Sequence, residues 1–168
     1  MDTIQLLPWH MDYALAISAL ANDPEVAANL RDVFPHPYAL SDAQDFISAC
    51  QQAGPDSLFL AILVEGQPAG GISLCRGQDV YRESAELGYW LGRPYWGKGI
   101  MTEAVGRICA LGFARLPIRR IFAEPFARNL GSRRVLEKNG FQLEGIMRQG
   151  AVKQGEALDY CMYALLRP

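Results

Sequence analysis

The sequence predicts an α/β fold of the mixed α+β kind, a mixed sheet of about seven strands flanked by helices. Three observations predict it. Helical spacing of apolar residues dominates the first third of the chain, short apolar runs joined by turns dominate the middle, and strand and helix patterns alternate from there to the end. The 168 residues are 50% hydrophobic and 20% charged, an ordinary composition for a globular domain. A chain of this size buries roughly 70% of its unfolded surface and needs no disulfide or metal to fold. No repeat, low-complexity tract or linker divides it, so one domain over residues 1–168 is expected.

In order, Thr3 to Leu7 reads as a short strand, and Asp12 to Leu20 carries apolar residues at helical spacing. Asp23 before Pro24 is an N-cap followed by proline at the first helical position, opening a short helix to about Leu30. The prolines of Phe34-Pro35-His36-Pro37-Tyr38 remove backbone donors and restrict their neighbours, so this stretch is a loop. Ser41 with Gln44 three residues on reads as a capping box for a helix ending near Gly54. Leu58 to Val64 and Ala69 to Cys75 form a hairpin across Glu65-Gly66-Gln67-Pro68, and Ser84 to Leu91 is a further strand. A helical pattern runs through Glu103, Val105, Ile108, Leu111 and Phe113, and Arg119 to Ala123 is a short strand. Asn129 to Asn139 is a helix closed by Gly140. Strands near Phe141 to Met147 and Leu158 to Leu165 complete the chain.

Composition excludes several function classes. A net charge of −2 leaves no cation surplus for general nucleic-acid binding. Cys50, Cys75, Cys109 and Cys161 are far apart with no C-x-x-C pair, and His10 and His36 are the only histidines. No metal cluster follows from such spacing, and reduced thiols are expected. The N-terminus lacks a basic segment followed by an apolar one. The longest apolar run, Leu58 to Val64, is far short of the ~20 residues that span a bilayer. A cytoplasmic protein with no membrane partner is expected.

The most informative segment is Ala85-Glu86-Leu87-Gly88-Tyr89-Trp90-Leu91, followed by Trp96-Gly97-Lys98-Gly99-Ile100-Met101-Thr102-Glu103-Ala104. A strand leads through a glycine-spaced turn into a long helix. Unpaired N–H groups and the helix dipole suit such a start to a phosphate or diphosphate, and the glycines supply positive φ and close approach. The Walker A pattern is not met, because Lys98 lies between the glycines. The dinucleotide fingerprint is not met either, because Thr102 stands where its third glycine belongs.

These segments, with Asn129-x-x-Ser132-x-Arg134-Val135-Leu136-Glu137-Lys138-x-Gly140-Phe141, resemble the GNAT acetyltransferases, and within them the RimJ/RimL-like branch. The resemblance covers nearly the whole chain. One departure is Pro94, which stands where the superfamily usually has Gln or Arg, three residues before the first glycine. The resemblance implies a mostly antiparallel sheet with a central splayed parallel pair that holds acetyl-CoA. Its contacts would be Trp90, Leu91, Trp96, Gly97, Lys98, Gly99, Ile100, Met101, Thr102 and Asn129. Glu86 is implied as general base. The tyrosine that many relatives use as general acid is replaced by Leu136, and Ser132 is implied in its stead. Asn29, Arg31, Phe34 and Tyr38 are implied on the acceptor side, with no metal and a monomeric or homodimeric state.

An α-amine is neutral in roughly a tenth of molecules at pH 7, a lysine in about one in two thousand. A site with one base and no clear acid therefore favours an α-amine, such as a ribosomal-type protein N-terminus. The alternatives are a small amine (aminoglycoside, polyamine or amino acid) and a non-catalytic acyl-CoA sensor.

Overall fold

The computed structural model describes residues 2–168. Seven strands are present: β1 (Ile4–Pro8), β2 (Ser57–Val64), β3 (Gln67–Arg76), β4 (Ser84–Leu91), β5 (Arg120–Ala123), β6 (Gln142–Lys153) and β7 (Glu156–Leu166). They form one sheet in the order β1-β2-β3-β4-β5-β7-β6. Every neighbouring pair is antiparallel except β4–β5. That parallel pairing lasts only from Ser84↔Arg120 to Glu86↔Phe122, after which β4 continues to Leu91 without β5 beside it. The expected mixed sheet and its central splayed pair are both present.

Helices cover both faces: α1 (Ala14–Ala21), α2 (Pro24–Ala27), α3 (Leu40–Gln51), α4 (Ile100–Arg115) and α5 (Leu130–Lys138). Side chains alternate across a strand, and β2 shows the result. Ala61 and Leu63 pack with Ile17, Ala21 and Ile47 of α1 and α3. Ile62 and Val64 join the opposite cluster, which includes Ala104, Val105 and Ile108 of α4 and Leu136 of α5. A strand buried on both faces has no polar side, so Ala61 to Val64 reads as a continuous apolar run.

Some ends differ from the sequence reading. The Asp23 cap forms, its carboxylate accepting from the Glu25 N–H at 2.9 Å, but α2 stops at Ala27 rather than near Leu30. The Ala28 carbonyl instead accepts from the Arg128 guanidinium at 2.7 Å. At α3 the carboxylate reaching back is Asp42, which accepts from the Ala39 N–H at 2.8 Å, so Ser41 lies inside the helix and Gln44 has no capping role. The helix ends at Gln51, three residues before Gly54. Strand β6 runs six residues beyond Met147, because a register shift between Met147 and Ala151 breaks the alternation that would have marked it.

Candidate active site

Two chambers open where β4 and β5 part. The larger, about 620 Å³, lies toward α1 and α3 and the loop from Asn29 to Tyr38. The smaller, about 520 Å³, lies toward the start of α4 and along α5. Both are lined by Asn29, Leu30, Tyr89, Trp90, Asn129 and Ser132, so these residues surround the opening between them.

The smaller chamber is built around the turn into α4. Gly97 and Gly99 have φ of +73° and +78°, the left-handed region that L side chains avoid, and a Cβ on either would meet nothing within 4 Å. Their glycine character is therefore a backbone requirement, and it leaves open space in front of the helix. The first helical bond runs from the Glu103 N–H to the Gly99 carbonyl, which leaves the preceding N–H groups of α4 turned outward. The Trp96 indole donates to the Leu91 carbonyl at 2.7 Å and fastens the turn to the end of β4. Ile100 and Met101 are buried in the core and offer this chamber mainly their backbone. Arg134 and Lys138 line it from α5, and Glu25 is its one acid. Lys98 is exposed on the turn and is not part of the lining.

Backbone groups along β4 alternate in direction. The Gly92 N–H donates to the Ala69 carbonyl at 2.8 Å, so the ladder to β3 uses Trp90 and Gly88 as well. Tyr89 and Leu91 then face the edge that β5 has left. Of the two β4 residues expected at the cofactor, Leu91 has its backbone on this open edge together with Tyr89, whereas the Trp90 backbone is bonded to β3.

Glu86, Gly88 and Trp90 share the other face of β4, toward the larger chamber. The Arg31 guanidinium bridges two carboxylates, donating to Glu86 Oε1 at 2.8 Å and to Glu124 Oε2 at 3.1 Å. Burial, and then the neighbouring Glu86, push the Glu124 carboxyl up, while Arg31 opposes them. Arg31 is expected on the acceptor side and does line that chamber, but its guanidinium is engaged by these acids. Phe34 packs 5.1 Å from Tyr38 and 5.4 Å from Trp90, between ring centres. Asn29 accepts from Arg128 Nε at 3.2 Å, which ties the loop from Asn29 to Tyr38 to the segment before α5.

At the opening, the Ser132 Oγ and the Tyr89 hydroxyl are 2.5 Å apart. Asn129 caps α5, its side-chain oxygen accepting from the Ser132 N–H at 3.3 Å, and so fixes where Ser132 points. Burial pushes the Tyr89 phenol up to about 12, so it keeps its proton at neutral pH. Leu136, at the position of the absent tyrosine, is fully buried in the core. The sequence reading did not single out Tyr89. Strand alternation turns it toward α5, away from Glu86, and that is the signal that would have found it. Among the described residues no three metal-ligating side chains cluster, and no helix is long and apolar enough to cross a membrane.

The chain belongs to the GNAT acetyltransferase family: residues 4–142 match its Acetyltransferase (GNAT) domain. It is similar to the probable N-acetyltransferase YjcK of Bacillus subtilis, 45% identical over 86 residues, which are 51% of this chain and 48% of that protein. The chain thus spans about half the length of that relative. It is also similar to YdaF of Bacillus subtilis, a putative ribosomal N-acetyltransferase, 34% identical over 70% of this chain and 63% of that protein. Among solved structures, the microcin C7 self-immunity acetyltransferase MccE, in complex with acetyl-CoA and AMP, superposes with a TM-score of 0.86. It is 25% identical and covers 99% of this chain and 94% of its own.

Proposed function

We propose that this chain moves the acetyl group of acetyl-CoA to a primary amine, with the smaller chamber as donor site and the larger as acceptor site. The observation that carries the reading is the opposite charge of the two chambers on either side of one opening. Arg134 and Lys138 outnumber Glu25 in the smaller. In the larger, Asp42, Asp45, Glu86 and Glu124 outnumber Arg31. Such an arrangement draws a polyphosphate to one side and an ammonium to the other.

Acetyl-CoA, as substrate, supplies an acetyl thioester. In this reading the outward N–H groups at the start of α4 hold its diphosphate, helped by the helix dipole, Arg134 and Lys138. The open space at Gly97 and Gly99 fits a group of that size. The free edge of β4 at Tyr89 and Leu91 pairs with the amides of the pantetheine arm, and Asn129 and Trp96 flank it. The acceptor enters beside Phe34 and Tyr38. Its ammonium gives a proton to Glu86, directly or through one water, and the freed lone pair attacks the thioester carbonyl carbon. Attack gives a tetrahedral intermediate; as its C–S bond breaks, the second proton shed by the nitrogen passes through the hydroxyl pair of Tyr89 and Ser132 to the departing sulfur, so both hydroxyls end protonated as they began.

YdaF's designation and the acidity of the larger chamber support a protein N-terminal α-amine as acceptor. A chamber of about 620 Å³ also supports a small amine. The test is Glu86→Gln. Turnover should fall about 100- to 10,000-fold while acetyl-CoA affinity measured by calorimetry stays put; unchanged turnover removes Glu86 from the base role.

A further inference from the structure

The larger chamber is unusual in what lines it. Trp9, Phe34, Tyr38, Phe46, Phe59 and Trp90 contribute aromatic side chains to one cavity of about 620 Å³. These rings meet one another at edges and tilts rather than in a closed stack. Phe34 meets Trp90 at 63° with ring centres 5.4 Å apart, and Trp9 meets Phe46 at 84° with centres 5.2 Å apart. All six line the cavity, and edge-on and tilted contacts of this kind are the arrangement that a further ring can join. The floor is shaped for it. A Cβ on Gly71 would come 2.9 Å from Trp9 Cζ2 and 3.1 Å from Trp90 Nε1, so the missing side chain lets both indoles settle against β3.

Charge adds the second half of the description. Of the five ionic side chains lining the chamber, four are acids, and Arg31, the one base, is bound to Glu86 and Glu124. Asp42 and Asp45 stand without a basic residue beside them in the lining. A cation is therefore favoured inside, and an anionic body is not. An apolar chamber with a few directed polar groups selects a ligand by shape and by those groups.

We infer that the acceptor is a primary alkylamine that carries an aromatic ring, the ring seated among Phe34, Trp9 and Trp90 and the ammonium directed to Glu86. This rests on the acetyl-transfer reading and names the chemistry of its acceptor. A free arylalkyl amine and a peptide whose first residue is aromatic both carry that chemistry, and the test separates them.

The intact protein is titrated, with and without CoA, while tryptophan fluorescence is followed. The probes are 2-phenylethylamine, 2-cyclohexylethylamine (the same outline without a π-face) and 2-phenylethanol (the ring without the charge). 2-Phenylethylamine should bind about fivefold more tightly than the cyclohexyl amine, the scale of one or two ring–ring contacts, and more tightly still than the alcohol. Phe34→Leu should abolish the phenyl-over-cyclohexyl preference and leave CoA binding unchanged, because Phe34 lines only the larger chamber. Equal affinity for the two amines, or for 2-phenylethylamine and the alcohol, overturns the inference, as does a ring preference that survives in Phe34→Leu; Trp9→Leu, as a second variant, should reduce the same preference. Absence of CoA binding would instead sink the acetyl-transfer reading, while the ring preference is still read in the CoA-free titration. Acetylation of Phe-Ala-Ala against Ser-Ala-Ala, beside 2-phenylethylamine, then assigns the source. Faster turnover of the phenylalanine peptide than of the free amine points to a protein N-terminus, and the reverse to a small molecule.

Discussion

Gly99 offers a perturbation whose size follows from the backbone alone. It caps α4 at φ +78°, and a Cβ there would meet no heavy atom within 4 Å. Substitution to Asp therefore adds no clash. It adds left-handed strain of about 1–2 kcal/mol, less for Asp than for most residues, and a negative charge in front of the helix. At a separation of about 6 Å from one phosphate charge, an effective dielectric of about 20 gives ~3 kcal/mol of repulsion. Screening over a Debye length of about 8 Å roughly halves that. The strain should lower Tm by about 2–8 °C in a domain of this size. The strain is the same with and without ligand and cancels from binding, so the charge alone, from screened to unscreened, should weaken acetyl-CoA binding about 10- to 150-fold. Gly66→Asp is the control. Gly66 also has φ +78° with nothing within 4 Å of a Cβ, yet it lines neither chamber. Both variants should lose Tm alike, and only Gly99→Asp should lose affinity by calorimetric titration. If Gly99→Asp destabilises the protein yet binds acetyl-CoA as the wild type does, the start of α4 is not the diphosphate seat.

Ser132→Ala should lower turnover about 10- to 100-fold and Tyr89→Phe less. The double variant should be no slower than Ser132→Ala alone, because the 2.5 Å contact between the hydroxyls makes them one relay; additive losses in steady-state kinetics would refute the relay. Arg31→Gln removes the guanidinium that opposes the upward push on Glu124, so the Glu124 carboxyl should titrate at higher pH in the variant than in the wild type when followed by carboxyl NMR, and an unmoved titration would mean that the bridge does not hold it down. Arg120 donates to both carboxylate oxygens of Glu144, at 2.8 and 2.6 Å, and holds that carboxyl below its ordinary range. Its folded pKa being depressed, the pair's contribution is full above the unfolded pKa near 4.5 and fades as pH falls through the lowered folded value. Glu144→Gln should therefore lower Tm at pH 7 and leave it unchanged near pH 2, as read by thermal unfolding.

Local chemistry made much of this molecule legible in its sequence. Asp23-Pro24 and Asn129 act as caps, Glu65 and Gly66 turn with positive φ, and Gly140 at φ +84° follows α5, because each depends on residues close in the chain. The segment around Gly97 and Gly99 is local too. What escaped was assembled over distance. Tyr89 and Ser132 are 43 positions apart, and Arg31 reaches Glu86 and Glu124 across 55 and 93 positions. No spacing rule links such residues; only the packing of α5 and of the loop from Asn29 to Tyr38 onto the sheet does. The far half of β6 was hidden for a different reason, since a strand with a register shift and Gln149 at φ 53° has no period to read.

The parallel seam between β4 and β5 consists of three paired residues at the centre of a seven-stranded sheet. Mechanically the molecule is two half-sheets joined along a partly open zipper, and in the proposed reading an extended ligand laid against Tyr89 and Leu91 would serve as the missing length of strand. Stability and occupancy then become the same quantity. Each tenfold excess of ligand over its dissociation constant adds about 1.4 kcal/mol to folding, and the amides of Tyr89 and Leu91, on the open edge, should exchange with solvent more slowly when the ligand is bound. A turnover cycle is, on this view, a cycle of stiffening and loosening along one seam, with the released thiol taking part of the sheet away with it.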